Sequence, residues 1–151
     1  MVEHRYSVEI VWTGNLGTGT SDYQAYSRDH TVAAQGRPGI AGSADPQYRG
    51  DPQRWNPEQL LVAAVSQCHM LWYLHLCAEA GVVVTDYRDL PLGVMSGDRF
   101  RGIELHPQVT VADPSMVAEA EQLHHPAREK CFIANSVNFP VTHRVAVRAA
   151  P

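Results

Sequence analysis

Three cysteines and eight histidines are the residues of this chain with redox or metal chemistry within reach. The cysteines are Cys68, Cys77 and Cys131, an odd number with no short-spaced pair. That pattern argues against a disulfide framework and leaves free thiols, redox chemistry or metal binding. Cys77 follows Cys68 by about 900° of helical rotation at ~100° per residue, so the two face opposite ways. They cannot pair without breaking the helix, and Cys77 reads as structural. Cys68 and Cys131 are the candidates for a redox pair. Cys68 has polar neighbours for an apolar helix, Ser66, Gln67 and His69, and Cys131 heads a segment carrying Asn135, Ser136 and Asn138. The plainer reading of either thiol is a buried, inert small hydrophobe. Metal is the weaker chemistry, because no Cys-x-x-Cys, His-x-x-x-His or other dense ligand cluster occurs. Adjacent His124 and His125 read as cations capping a helix C-terminus or facing solvent. His69 and His75 read as core or pocket histidines, with a part in shaping a substrate entrance. Neither a metal nor a cofactor is expected.

The element that must position Cys68 is a helix starting at Asn56-Pro57-Glu58. Asparagine is a good N-cap, proline suits the first helical position, and Glu58 complements the positive end of the dipole. An apolar run continues to Ala80-Gly81, where glycine marks the stop. The result is a helix of about 24 residues, ~36 Å long. It is apolar over most of its circumference and is therefore expected to be buried on most sides. Glu58, Gln59, Gln67, His69, His75 and Glu79 make it a poor membrane span.

The remaining pattern is mostly strand. Residues 6–12 alternate, and 21–26 with 30–33 read as two further strands or one bulged strand, completing an antiparallel meander. The glycine-rich residues 13–20 lack the lysine and following helix of a P-loop. Residues 35–55, dense in glycine and proline, read as a long loop carrying Arg37, Arg49 and Arg54. Residues 82–89 and 92–95 read as strand, 96–98 as a turn, and 100–111 as one further strand. A second helix starts at Asp113-Pro114, breaks around Pro126 and ends at Cys131. Residues 132–138 form a short helical turn and loop, and 140–147 a final strand. The fold class is α+β: β-meander, long central helix, β-hairpin, second helix, final strand. One domain over 1–151 is expected, with a real core.

Hydrophobic content of 44%, charged content of 19% and a net charge of −4 are globular values that exclude disorder and give no basic footprint for nucleic acid or anionic lipid. The N-terminal residues carry no signal-peptide pattern, so a cytoplasmic protein with no membrane partner is expected.

The run Asn56-Pro57-Glu58-Gln59-Leu60-Leu61-Val62-Ala63-Ala64-Val65-Ser66-Gln67-Cys68 resembles the signature helix of the OsmC/Ohr thiol peroxidases, the osmotically inducible and organic hydroperoxide resistance proteins. Residues Ala127 to Ser136, with Cys131-Phe132, are similar to the second-cysteine segment of that family. The order of elements agrees over nearly the whole chain. His69 and Trp72 depart from the small or Phe-like residues commoner at those positions, which bears on the substrate pocket.

The resemblance implies a fold, a dimer and a reaction. Cys68 would be the peroxidatic cysteine, reducing an organic hydroperoxide or hydrogen peroxide, and Cys131 the resolving one. Glu58 would orient a catalytic arginine: Arg49 first, with Arg28 and Arg54 as alternatives. The physical need is plain, since an apolar setting raises a thiol above its usual ~8.5 and a cation must offset this. Glu58 lies ~15 Å from Cys68 along the helix, so either a long arginine spans the gap or the carboxylate comes from a second subunit. The resemblance favours an intertwined homodimer with its sites at the interface, and the helix's apolar circumference agrees. An external dithiol, by resemblance of lipoyl type, would reduce the disulfide. The competing readings are a non-enzymatic small-molecule-binding or interaction module on the same fold, and a metal-binding protein.

Overall fold

This computed structural model describes every residue from Met1 to Pro151, and the chain divides into two compact units, Met1–Leu60 and Leu61–Pro151. In the first unit β1 (Glu9–Trp12), β2 (His30–Ala33) and β3 (Ile40–Gly42) form the expected antiparallel meander, with Trp12 opposite His30 and His30 opposite Gly42. Two details differ from the sequence reading. Residues 21–26 are turn, not strand, because the Asp22 side chain accepts from the Gln24 N–H at 2.8 Å and its carbonyl from Ala25 N–H at 3.0 Å. Such local bonds compete with a ladder. The presumed loop 35–55 contains β3 and a 3₁₀ turn, Pro46–Tyr48, capped by the Asp45 carboxylate.

The long helix α1 (Pro57–Ala80) forms as its termini require. Gln59 N–H donates to Asn56 Oδ1 at 2.8 Å while Asn56 N–H donates to Gln59 Oε1 at 3.1 Å, a reciprocal capping box. At the other end Gly81 takes φ +74°, Val82 N–H reaches the Cys77 carbonyl at 2.9 Å and Gly81 N–H the Ala78 carbonyl at 3.3 Å. This Schellman stop needs a residue free to adopt positive φ. Burial on most sides is not found within one chain. Only Val65, His69, Tyr73 and Cys77 are buried, a single stripe at four-residue spacing. By length and composition α1 is apolar enough to cross a membrane; its buried stripe nonetheless carries two polar groups with partners in the protein.

The second unit builds two three-stranded sheets from β4 (Val84–Arg88), β5 (Leu92–Ser96), β6 (Arg99–Leu105), β7 (Gln108–Val111), β8 (Val141–His143) and β9 (Ala146–Ala149). Their orders are β4-β7-β9 and β5-β6-β8. β5 and β6 form the expected hairpin, but β8 pairs parallel to β6 and β9 parallel to β7. The stretches read as single strands, 100–111 and 140–147, are each two strands that switch sheets. At the first switch Pro107 has no N–H to donate, and the His106 N–H is taken by Asp89 Oδ1 at 2.6 Å. Between β7 and β8 come a 3₁₀ turn (Pro114–Met116), α2 (Val117–Gln122) and α3 (His124–Lys130). The helix break lies at Leu123, ahead of Pro126, because proline is tolerated in a first turn.

Two apolar clusters result. One joins Tyr73 and Cys77 of α1 to Val109, Val111, Ala120 and Ala127. The other joins Val65 to Ile103, Leu105, Cys131, Ala134 and Val141, with Cys68 packed on it. His69 stands between them on the buried stripe.

Candidate active site

In the second unit, α1 carries Cys68 and α3 ends at Cys131, and the two thiols meet. Cys131 is fully buried, and its Sγ lies 4.0 Å from the Val65 carbonyl, one turn before Cys68. Burial pushes the Cys131 thiol up to about 11, the neighbouring Cys68 thiol adds to the rise, and hydrogen bonds from the Ala134 and Ile133 backbone pull the other way. Cys68 is half-buried. All three thiols are free, and Cys77 is buried in the other apolar cluster. Cys68 and Cys131 thus share one apolar cluster, and Cys77 lies in the other.

The polar residues that first drew notice to the cysteines have other work. Ser66 Oγ donates to Asp89 Oδ2 at 2.6 Å. Asn135 Nδ2 donates to the Glu129 carbonyl at 2.9 Å and Ser136 Oγ to the Phe132 carbonyl at 2.7 Å, fixing the turn that presents Cys131. Arg128, not singled out from sequence, supports the same turn: its Nε donates to the Val141 carbonyl at 2.9 Å and Nη1 reaches Asn135 Oδ1 at 3.4 Å. Trp72, one turn beyond Cys68, meets Phe132, the residue after Cys131, edge to face at 5.4 Å. Phe132 was also missed; its place beside Cys131 was the available signal. It stays 67% exposed, which leaves an apolar surface next to the thiols.

The histidines correct the sequence reading. His124 neither caps a C-terminus nor faces solvent: it opens α3 and is fully buried. His69 is fully buried too, so it cannot line an entrance. Their rings meet in plane, His69 Nε2 to His124 Nδ1 at 3.0 Å, with His143 of β8 alongside. Burial lowers the His69 pKa to about 4, helped by His143 and Arg128. It lowers that of His124 to about 3, helped by His69 and His143. His75 is exposed, 3.3 Å from Glu79. No group of three or more His, Cys, Asp or Glu side chains is placed to hold a metal ion.

The first unit holds the remaining candidates. Arg28 donates to the Tyr23 and Tyr26 carbonyls, both at 2.7 Å, and lies over both rings. Arg54 lies 3.4 Å from Asp29 and 3.9 Å from Asp51 and donates to the His30 carbonyl. Arg49, at φ +68°, is exposed and its side chain has no hydrogen bond or ion pair within the chain. Glu58 Oε2 is buried without a hydrogen-bond partner.

Comparison with known families places this arrangement. The family model for OsmC-like protein matches residues 50–146. The chain belongs to the OsmC-like family. A solved OsmC-like protein of unknown function from Vibrio cholerae is 33% identical, covers 97% of this chain and 100% of its own, and superposes with a TM-score of 0.85. An OsmC-like protein from Mycoplasma pneumoniae shares the fold at 12% identity, with a TM-score of 0.72 over 97% of this chain and 99% of its own. An organic hydroperoxide resistance protein OsmC from Legionella pneumophila does so at 20% identity, with a TM-score of 0.65 over 96% and 98%. No curated protein matches.

Proposed function

We propose that this OsmC-like protein is a two-cysteine thiol peroxidase acting on organic hydroperoxides. The observation that carries the reading is the meeting of the Cys68 and Cys131 thiols across two elements far apart in sequence. The Cys68 thiolate attacks one peroxide oxygen, the O–O bond breaks, and the leaving alkoxide takes a proton to become an alcohol. Cys68 is then a sulfenic acid. The Cys131 thiol condenses with it, forming the disulfide and releasing water, which guards Cys68 from over-oxidation. A dithiol, of lipoyl type in our reading, supplies two electrons and two protons to restore both thiols. The roles fall this way round because Cys131 is fully buried, where a thiolate is disfavoured, whereas Cys68 is only half-buried and open to an arriving peroxide.

Activation of Cys68 falls to Arg49, with Glu58 as its orienting carboxylate. Arg28 and Arg54 are already engaged within their own loops, whereas the Arg49 guanidinium is free and one Glu58 oxygen lacks a donor. A guanidinium supplies such an oxygen with a charge-assisted bond. The site is completed in a homodimer: α1 leaves Leu71 exposed, and β1 leaves Ile10, Val11 and Trp12 exposed, so a second copy has apolar surface to cover. Trp72 and Phe132 form the apolar wall that an alkyl hydroperoxide would meet. We place the protein in the cytoplasm and read both units as parts of one OsmC-like domain. The deciding experiment follows consumption of several hydroperoxides with a dithiol reductant. Turnover that rises with the apolarity of the peroxide is expected. No consumption of any peroxide would leave a binding module on the same fold.

A further inference from the structure

The buried histidines play no part in the reaction just described, and their placement gives them another task. His69 and Cys68 are successive residues of α1. His124 opens α3 and Cys131 closes it, about 10 Å along the helix axis. The His69–His124 hydrogen bond and the thiol contact therefore join the same two elements at two points. Among side-chain hydrogen bonds the imidazole pair is the one tie from α3 to α1 apart from the contacts of the Cys131 thiol itself. Ala127, between the two ends, packs against Tyr73 and Cys77 without a directional bond. Arg128 fastens α3 to β8 instead.

The pair is built for the neutral state. His69 Nδ1, His124 Nε2 and His143 Nδ1 are all buried without a partner. A bond between two neutral imidazoles uses one N–H and one lone pair, whichever ring donates. A proton added to either ring must sit on a nitrogen that has no acceptor. The titratable and charged groups facing the pair are His143 from β8, Arg128 from α3 and the Tyr73 phenol from α1, stacked 3.8 Å from the His124 ring. None is a carboxylate, so a new cation would face Arg128 with nothing to offset it.

We propose that His69 and His124 are positioning residues, a clasp that holds α3 on α1 so that Cys131 stays within reach of Cys68, and that acid opens the clasp and separates the thiols. The proposal rests on the two-cysteine reading but concerns the meeting of the thiols, which is measurable without peroxide.

The test is the exchange equilibrium with glutathione: reduced protein and oxidised glutathione give protein disulfide and two reduced glutathiones. While all thiols are protonated this balance releases no proton, so its acid dependence reports the protein; any Cys68 thiolate would shift it toward disulfide in acid, the opposite way. A small selenol keeps exchange fast, and mass spectrometry after acid quench counts the Cys68–Cys131 disulfide. The wild type is compared with the double variant His69→Gln, His124→Asn. These amides place a bonding atom where Nε2 and Nδ1 stood and do not titrate. From pH 7 to pH 4.5 the effective concentration of one thiol at the other should fall about tenfold or more in the wild type and stay level in the double variant, with far-ultraviolet circular dichroism unchanged. A level wild-type profile overturns the proposal. So does a parallel fall in the double variant, or a fall that appears only with global unfolding. If the double variant does not fold, the wild-type profile with its dichroism decides. Absence of peroxide turnover alongside the expected profile would defeat the peroxidase reading and leave the clasp standing.

Discussion

Two of the contacts between α1 and the α3 segment, the thiol pair and the imidazole pair, are chemical opposites. Cys68 meets Cys131 at an edge where Cys68 is half-buried and Phe132 stands exposed. His69 meets His124 where nothing reaches solvent. The thiols sit where a small oxidant can arrive and where one of them can change its bonding. The imidazoles sit in a setting that suppresses charge and offers their outer nitrogens no partner. Neighbouring positions on one helix thus separate a site for reaction from a site for structure. What separates them is access to solvent, not residue type, since both side chains are common nucleophiles or bases elsewhere.

The largest effect that can break this comparison is loss of the nucleophile. Cys68→Ser is expected to abolish hydroperoxide turnover while thermal unfolding stays close to wild type, because the change is nearly isosteric at a half-buried position. Turnover by the serine variant at the wild-type rate would return Cys68 to the status of a packing residue. Cys131→Ser should be less severe. One equivalent of peroxide is consumed, and the reaction then stops with Cys68 held as sulfenic acid or a higher oxide, visible by mass. A Cys68–Cys77 bridge in oxidised wild type would sink the pairing.

The imidazoles should also announce themselves in stability. Their folded pKa values, about 4 and about 3, lie below the ~6.5 of an unfolded chain. Between those limits the unfolded state binds more protons, so stability falls as pH drops below ~6.5 and levels off below the folded values. Each ring contributes at most roughly 1.4 kcal/mol per pH unit within the window, less where the two titrate together. Urea unfolding at pH 7 and pH 5 measures the slope, and His69→Gln with His124→Asn should flatten it. An equal slope in that variant would place the acid sensitivity elsewhere.

How far this was legible from sequence differs from element to element. Asn56-Pro57 and Gly81 declare the ends of α1 because capping is local chemistry, and the hydrogen bonds found there are the ones those residue types make. The sheet switches were not legible. Residues 100–111 alternate across His106-Pro107 as a single strand would, and only the Asp89 side chain and the parallel partners β8 and β9 reveal two. His124 was misread because its neighbour His125 is indeed exposed and Pro126 suggested a helix end; the partner that buries it lies 55 residues away. The thiol pair is read from local polarity, of which Ser66, His69, Asn135 and Ser136 serve other bonds. The free Arg49 is intelligible only once Arg28 and Arg54 are seen to be occupied.

The smallest expected effect sharpens the comparison with a histidine that has what the buried pair lacks. His106 Nε2 lies 2.6 Å from Glu104 Oε1, Nδ1 lies 2.9 Å from the Leu90 carbonyl, and Arg144 approaches the other Glu104 oxygen at 3.2 Å. The Glu104 carboxylate raises the His106 pKa first, and the Leu90 carbonyl adds to it; His106 in turn lowers that of Glu104. The sign is opposite to that of His69. Any stability from His106 is complete below the unfolded value and is lost as pH rises through its folded one. The cluster faces solvent, so salt screens it and the gain is slight. Glu104→Gln should move the His106 titration, followed by its ring-proton resonances, back toward the ordinary range without a measurable change in the urea midpoint at pH 7. An unmoved His106 titration would mean that the carboxylate is not what raises its pKa, and partner charge would no longer explain why this histidine shifts upward while two others shift downward.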